Sequence, residues 1–281
     1  MSDTAVLRRH FGDVSALRER YALAEPFPHI VLDDFLDEST LGRAIDEFPD
    51  LDEAQWTNYL HVNERKYANS DLDTWAPILR DIATQLMSDP FVRLVEEITG
   101  ISDLIADPAL DGGGLHTSIA GGYLNVHTDF TSHHVHPTWE RRVNLLLYLN
   151  RDWDPSYGGD LELWDAQMTR CVTKVAPIAN RVVLFTTTPD AFHGHPVPLA
   201  APQGVSRKSL ALYYFTESEH AVARPTQYRA RPDDGWRRIL IAADQQALRA
   251  YDVAKRRLGL SDDTASRLLG RLDRSKRRPQ G

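Results

Sequence analysis

The pattern of apolar and polar positions changes character twice along the chain. Ser15–Ala24 reads as a short helix, and Pro26-Phe27-Pro28 separates it from an apparent strand, His29-Ile30-Val31-Leu32, which runs into Asp33-Asp34-Phe35-Leu36. Ser39–Phe48 and Asp73–Thr99 carry apolar residues at helical spacing, among them Ile78, Ile82, Leu86, Phe91, Leu94 and Ile98, with Pro90 marking a break between two helices. These helices are expected to buttress one sheet. From Leu115 to Thr216 the pattern becomes short alternating segments divided by Gly, Pro, Asn and Asp, which predicts a sandwich or jelly roll. After Glu217 helical spacing returns with Trp236, Ile239, Ala243, Ala247, Tyr251 and Ala254. A second helix is expected from Ser261-Asp262-Asp263, with Ala265, Leu268, Leu269 and Leu272 as its apolar positions. These last helices have two readings, a cover for the sheet or a homo-oligomer interface. The basic end, Arg267 to Arg278, reads as a solvated tail in preference to a site for an acidic partner.

Strand parity brings the chemistry together. His127 and Asp129 lie two apart in Gly121-Gly122-Tyr123-Leu124-Asn125-Val126-His127-Thr128-Asp129, so both side chains leave one face. With 11 histidines and 40 acidic residues, about one such pair is expected by chance, so the pair alone says little. In Arg207–Phe215, Arg207 and Ser209 share a face while Leu210 and Leu212 pack behind it. A guanidinium fork with a hydroxyl beside it is suited to holding a carboxylate. Arg142–Asn150 shows the same parity, placing Arg142, Asn144 and Tyr148 on a polar face and Val143, Leu145, Leu147 and Leu149 on an apolar one. His193 or His195 would complete a set of two histidines and one carboxylate, which leaves coordination positions open and suits non-haem Fe(II). The single cysteine, Cys171, excludes a thiolate cluster built within one chain and reads as a small buried thiol.

Over roughly residues 105–217 the chain resembles the prolyl-hydroxylase-like branch of the Fe(II)- and 2-oxoglutarate-dependent oxygenases. The resemblance rests on Gly121-Gly122-Tyr123-Leu124 leading into His127-Thr128-Asp129, then Tyr148-Leu149-Asn150, Asp152-Trp153, Gly158-Gly159-Asp160-Leu161, His193 and Arg207-Lys208-Ser209, in that order. It implies a mainly β fold, a double-stranded β-helix (a cupin-like jelly roll) with N-terminal helices and a C-terminal helical extension. The expected division is 1–104 for the first strand and supporting helices, 105–217 for the core and 218–281 for the extension, in one compact domain. It further implies His127, Asp129 and His193 as iron ligands, Arg207 on the distal carboxylate of 2-oxoglutarate, and Tyr148, Ser209 and Asn144 beside it. Within the pair formed by His193 and His195, the resemblance favours the first.

The implied activity is hydroxylation of an unactivated C–H bond coupled to conversion of 2-oxoglutarate and O2 to succinate and CO2, with ascorbate as a supporting reductant. Related halogenases replace the carboxylate ligand with a small residue, so Asp129 points to hydroxylation. The substrate is expected to be a small molecule or an amino-acid derivative, with a prolyl peptide as the alternative; a third reading is a non-catalytic 2-oxoglutarate-binding or interaction protein. Trp56–Tyr67 and the loop His133-His134-Val135-His136 are candidate substrate walls, the histidines being expected solvated or substrate-facing and not a second metal site. Trp139, Trp153 and Trp164 are assigned to packing.

Composition narrows the partners. A formal charge of −8 disfavours a role in holding nucleic acid, and no run is apolar and long enough for a membrane span or, within Met1–Leu17, a signal peptide. A cytoplasmic enzyme with 281 residues and 42% hydrophobic content is expected.

Overall fold

A computed structural model describes residues 12–51 and 55–246. Helix α1 (Val14–Ala22) is capped by Asp13 and strand β1 (His29–Leu32) follows it. Helix α2 (Glu38–Asp46) starts at Asp37, whose carboxylate accepts the Ser39 and Thr40 amides. Helices α3 (Pro77–Leu86) and α4 (Asp89–Thr99) each carry a proline in the first turn, where its missing N–H has no intrahelical partner to lose. Pro90 therefore opens α4 as well as ending the run before it.

The strands are β2 (Thr57–His61), β3 (Glu64–Asn69), β4 (Ile105–Ala106), β5 (Gly114–Ser118), β6 (Tyr123–Thr128), β7 (Trp139–Tyr148) and β8 (Leu161–Trp164). They continue with β9 (Cys171–Val175), β10 (Arg181–Thr186), β11 (His193–His195), β12 (Arg207–Glu217) and β13 (Gln227–Tyr228). All join one antiparallel sheet in the order β1-β10-β7-β12-β5-β3-β6-β11-β8-β9, with β2 on β3, β4 on β12 and β13 on β6. The sheet curls into a barrel-like jelly roll. Strands β1, β2, β3 and β13 enter it from outside 105–217.

Alternation along β7 and β12 builds the two sides of the central wall. Val143, Leu145, Leu147, Leu210 and Leu212 pack outward against Leu79, Ile82, Leu86, Phe91, Leu94 and Ile98 of α3 and α4. Each such aliphatic chain, once buried, contributes about 1.5–3 kcal/mol, enough to dock helices too short to stand alone. Tyr214 ties the layers by donating its hydroxyl to the Leu86 carbonyl at 2.8 Å. Inward, Tyr148, Leu161, Leu163, Val183 and Phe185 make a smaller apolar lining.

Four local expectations change. The hairpin β2–β3 arises from polar, half-exposed sequence that carried no strand signal. Strand β7 starts at Trp139, and its register against β12 jumps from Val143↔Tyr214 to Arg141↔Phe215. This bulge makes Arg142 the extra residue and turns Arg141 onto the polar face instead. Cys171 is only half-buried. Residues 237–246 are helical, but Trp236 and Ile239 are each 73% exposed, while Ile241 is buried. The expected helical positions from Ala247 on, the second helix and the basic tail lie outside the described residues. Among the described residues no helix is long and apolar enough to cross a membrane.

Candidate metal and co-substrate site

The end of β6 and the start of β11 are cross-strand partners, which sets His127 opposite His193 with ring centroids 4.5 Å apart. Gly194 permits this approach, because a Cβ there would lie 2.7 Å from the Leu124 carbonyl oxygen. Asp129, one residue past β6, places Oδ1 3.5 Å from His127 Nε2 and Oδ2 3.4 Å from His193 Nε2. One ligand atom from each of the three residues lies within 4.8 Å of the others. Both imidazoles donate Nδ1–H to the carbonyl two residues back, Asn125 and Ala191, at 2.9 Å. A neutral ring fixed this way presents the Nε2 lone pair, the form that binds a metal. Burial holds His193 down at about 4, against the opposing pull of Asp129, so that ring is neutral near pH 7. Burial alone would raise the Asp129 carboxyl, but the Arg141 charge and then His193 hold it well below the usual range. The donor set fits a divalent iron: two neutral nitrogens and one ionised carboxylate on one side, with space opposite.

Asp129 is braced from behind. Asn144 donates to its Oδ2 at 2.7 Å, and Arg141 Nη2 lies 3.2 Å from the same oxygen. Arg141 Nε donates to Asn144 Oδ1 at 2.8 Å, and its guanidinium sits 3.3 Å from the Tyr213 ring centroid. Asn144 thus belongs beside the carboxylate and not at the Arg207 end.

The same cavity, enclosing about 90 Å³, several times the need of one water, is lined further in by Arg207, Ser209, His195, His116 and Lys66. Arg207 is 7% exposed; Nε donates to the Gly159 carbonyl at 2.7 Å and Nη2 to the Tyr148 hydroxyl at 3.2 Å. No carboxylate pairs with it among the described residues. Ser209 is the cross-strand partner of Tyr148 on one side and His116 on the other. Lys208 points the other way, toward Phe48.

Over the site, β13 pairs with β6 and lays Tyr228 5.5 Å from the His127 ring. Tyr228 hydrogen-bonds Glu64, which also holds Lys66 at 3.2 Å and His61 at 2.8 Å. His61 Nδ1 reaches Asp244 of the 237–246 helix at 3.0 Å. A polar chain therefore links the cavity to the last described helix. In the histidine loop, His133 is buried against Asp107 and Asp111, which corrects its expected exposure; His134 and His136 are exposed. Among the described residues only His127, Asp129 and His193 form a metal-holding group. Sequence reasoning missed Arg141, His116 and Tyr228, and reached His61, Glu64 and Lys66 only as unnamed members of the Trp56–Tyr67 wall.

Residues 114–215 match the profile of the 2OG-Fe(II) oxygenase superfamily. The match spans 102 of the 281 residues. Prolyl 3-hydroxylase OGFOD1 of Mus musculus is 31% identical to it over 96 residues, which make up 33% of this chain and 17% of the mouse protein. The matched stretch is thus under a fifth of that relative. Two solved structures share the fold. A prolyl-4-hydroxylase of Pseudomonas putida aligns with TM-score 0.50 and 18% identity over 73% of this chain and 99% of its own. A prolyl hydroxylase of Trichoplax adhaerens, solved with a hypoxia-inducible-factor peptide fragment, aligns with TM-score 0.53 and 17% identity over 72% of this chain and 88% of its own.

Proposed function

We propose that this chain is an Fe(II)- and 2-oxoglutarate-dependent dioxygenase that hydroxylates an unactivated C–H bond of a small, amino-acid-derived substrate, releasing succinate and CO2. The observation that carries the reading is Arg207, a buried cation without a carboxylate partner among the described residues, in one cavity with His127, Asp129 and His193. A buried charge calls for a counter-ion, and a dicarboxylic keto acid supplies one while offering its other end to a metal. His127, Asp129 and His193 would hold the iron, which when bound supplies O2 activation coupled to oxidative decarboxylation of the keto acid.

The protein's own groups do the rest. Arg207, with Tyr148 and Ser209, holds the distal carboxylate. Arg141 and Asn144 orient Asp129. Phe185, Leu146 and Leu161 exclude water from one wall. Asp129 keeps the carboxylate position filled, which supports hydroxylation over halogenation. The core at 105–217 would carry the chemistry, 1–104 and 218–281 its support, in the cytoplasm. The exposed Trp236 and Ile239 support self-association through the last helix.

A second reading, hydroxylation of a prolyl residue in a peptide, is favoured by the mouse relative, a prolyl 3-hydroxylase. Succinate release measured with free amino acids and with proline-containing peptides separates the two by which class stimulates turnover. The parent reading is tested without oxygen, by adding Fe(II) and 2-oxoglutarate and following the visible charge-transfer band of the chelate. A band in wild type that is lost in Asp129→Ala and Arg207→Ala is expected; no band in a folded wild-type protein would refute it.

A further inference from the structure

Three buried imidazoles among the described residues share one habit. His29, His127 and His193 each place Nδ1 2.9 Å from the carbonyl oxygen two residues back. His195 breaks it: 4% exposed, on the same short strand as His193, it holds Nδ1 buried with no hydrogen-bond partner. Leaving such an atom unsatisfied is costly, and an aliphatic residue would fill the position without that cost. The ring lines the cavity, lies outside the metal-holding group, and among charged groups is acted on most strongly by Arg207 and then Lys66.

We propose that His195 is a co-substrate-binding residue: a ring N–H donates to the carboxylate held by Arg207, making the cavity select a dicarboxylic keto acid over a monocarboxylic one. The inference rests on the iron and keto-acid reading above. The acceptor capacity is sufficient, because a carboxylate offers about four lone-pair sites, and Arg207 spends only two of its five N–H groups on Gly159 and Tyr148. Arg207, Ser209 and His195 can therefore all donate to one ligand group. His116 is unsuited to the role. Its ring already hydrogen-bonds the Gly113 backbone and is held neutral, down at about 3, by burial and then the Lys66 charge, which leaves Nε2 as an acceptor. Lys66 is occupied by Glu64.

The test is calorimetric titration of the full-length protein, loaded with Mn(II), with 2-oxoglutarate and with 2-oxopentanoate, which has a methyl group in place of the distal carboxylate. His195→Leu is expected to weaken 2-oxoglutarate at least about tenfold while 2-oxopentanoate changes less than about threefold, and His195→Gln, which keeps a donor, to recover part of the loss. Equal weakening of both acids, or of neither, overturns the proposal. Should the leucine variant not fold, the wild type decides: in the Zn(II) protein, a histidine 15N resonance that disappears in His195→Gln must shift with 2-oxoglutarate and not with 2-oxopentanoate, and its indifference overturns the proposal. A wild type that binds neither keto acid overturns the parent reading first. One that binds 2-oxoglutarate, with unaffected His195 variants, overturns this inference alone.

Discussion

Arg141 offers the sharpest test of how the metal site is built, because its removal should be felt differently with and without a bound ion. It is 2% exposed and its Nη2 lies 3.2 Å from Asp129 Oδ2. At an effective dielectric of about 20, charges at that separation attract by about 5 kcal/mol. Part of this offsets the cost of burying both ions, whereas removing one partner leaves the other charge uncompensated, at about 3–5 kcal/mol. Arg141→Met keeps an apolar chain against Tyr213 and Phe130, and Asn144 still donates to Asp129, so the lower part of that range applies. We expect a loss of about 3–4 kcal/mol in the metal-free protein. A divalent ion on His127, Asp129 and His193 would itself neutralise the carboxylate, so the loss should shrink to about 1–2 kcal/mol with metal present. Urea unfolding in chelator and in saturating Mn(II), for wild type and variant, yields both numbers from midpoints at a common slope. A variant destabilised equally under the two conditions, or by less than about 1 kcal/mol without metal, would refute the reasoning.

Two further outcomes follow from the supports around the cavity. His61 has carboxylates on both ring nitrogens, and although burial opposes it, Glu64 and Asp244 raise its pKa above the ordinary value. Its contribution is therefore fully present below about pH 6.5 and lost as pH rises through the raised folded value. The stability advantage of wild type over His61→Gln should be about 1–2 kcal/mol at pH 6 and fade by about pH 9 in urea titrations; an advantage that grows with pH would contradict the clasp. Gly114, at φ +108°, opens β5 where a Cβ would run into the Asn69 carbonyl of β3. Gly114→Ala should cost about 2–4 kcal/mol in urea unfolding, and a loss below about 0.5 kcal/mol would mean that the β3–β5 joint yields freely.

The site was legible where its geometry is local. His127 and Asp129, two apart, and Arg207 with Ser209, two apart, report their shared face through the period of a strand, and family order supplied His193. The structure brings them to one cavity. The same parity argument failed at Arg142 because a single bulge shifts the count: the register skips one residue of β7, so Arg141 reaches Asp129 while Arg142 turns to Glu140. No periodicity within β7 could reveal a bulge defined by its partner strand.

The C-terminal helix shows a second limit. Its spacing was readable, but the face was not, since Trp236 and Ile239 stay exposed while docking runs through Ile241 and a polar contact, Asp244 with Asn63 Nδ2 at 2.6 Å and His61 at 3.0 Å. Those partners stand 181 and 183 residues away, in a hairpin whose polar sequence gave no strand signal. Hydrophobic periodicity counts only apolar burial, so an interface made of a carboxylate, an amide and an imidazole is invisible to it. Yet that interface joins the helix through Glu64 to Lys66 on the cavity wall. The Arg207 end of the cavity is thus written in strand alternation, whereas the wall formed by the hairpin, Tyr228 and the last helix depends on contacts that only the fold creates.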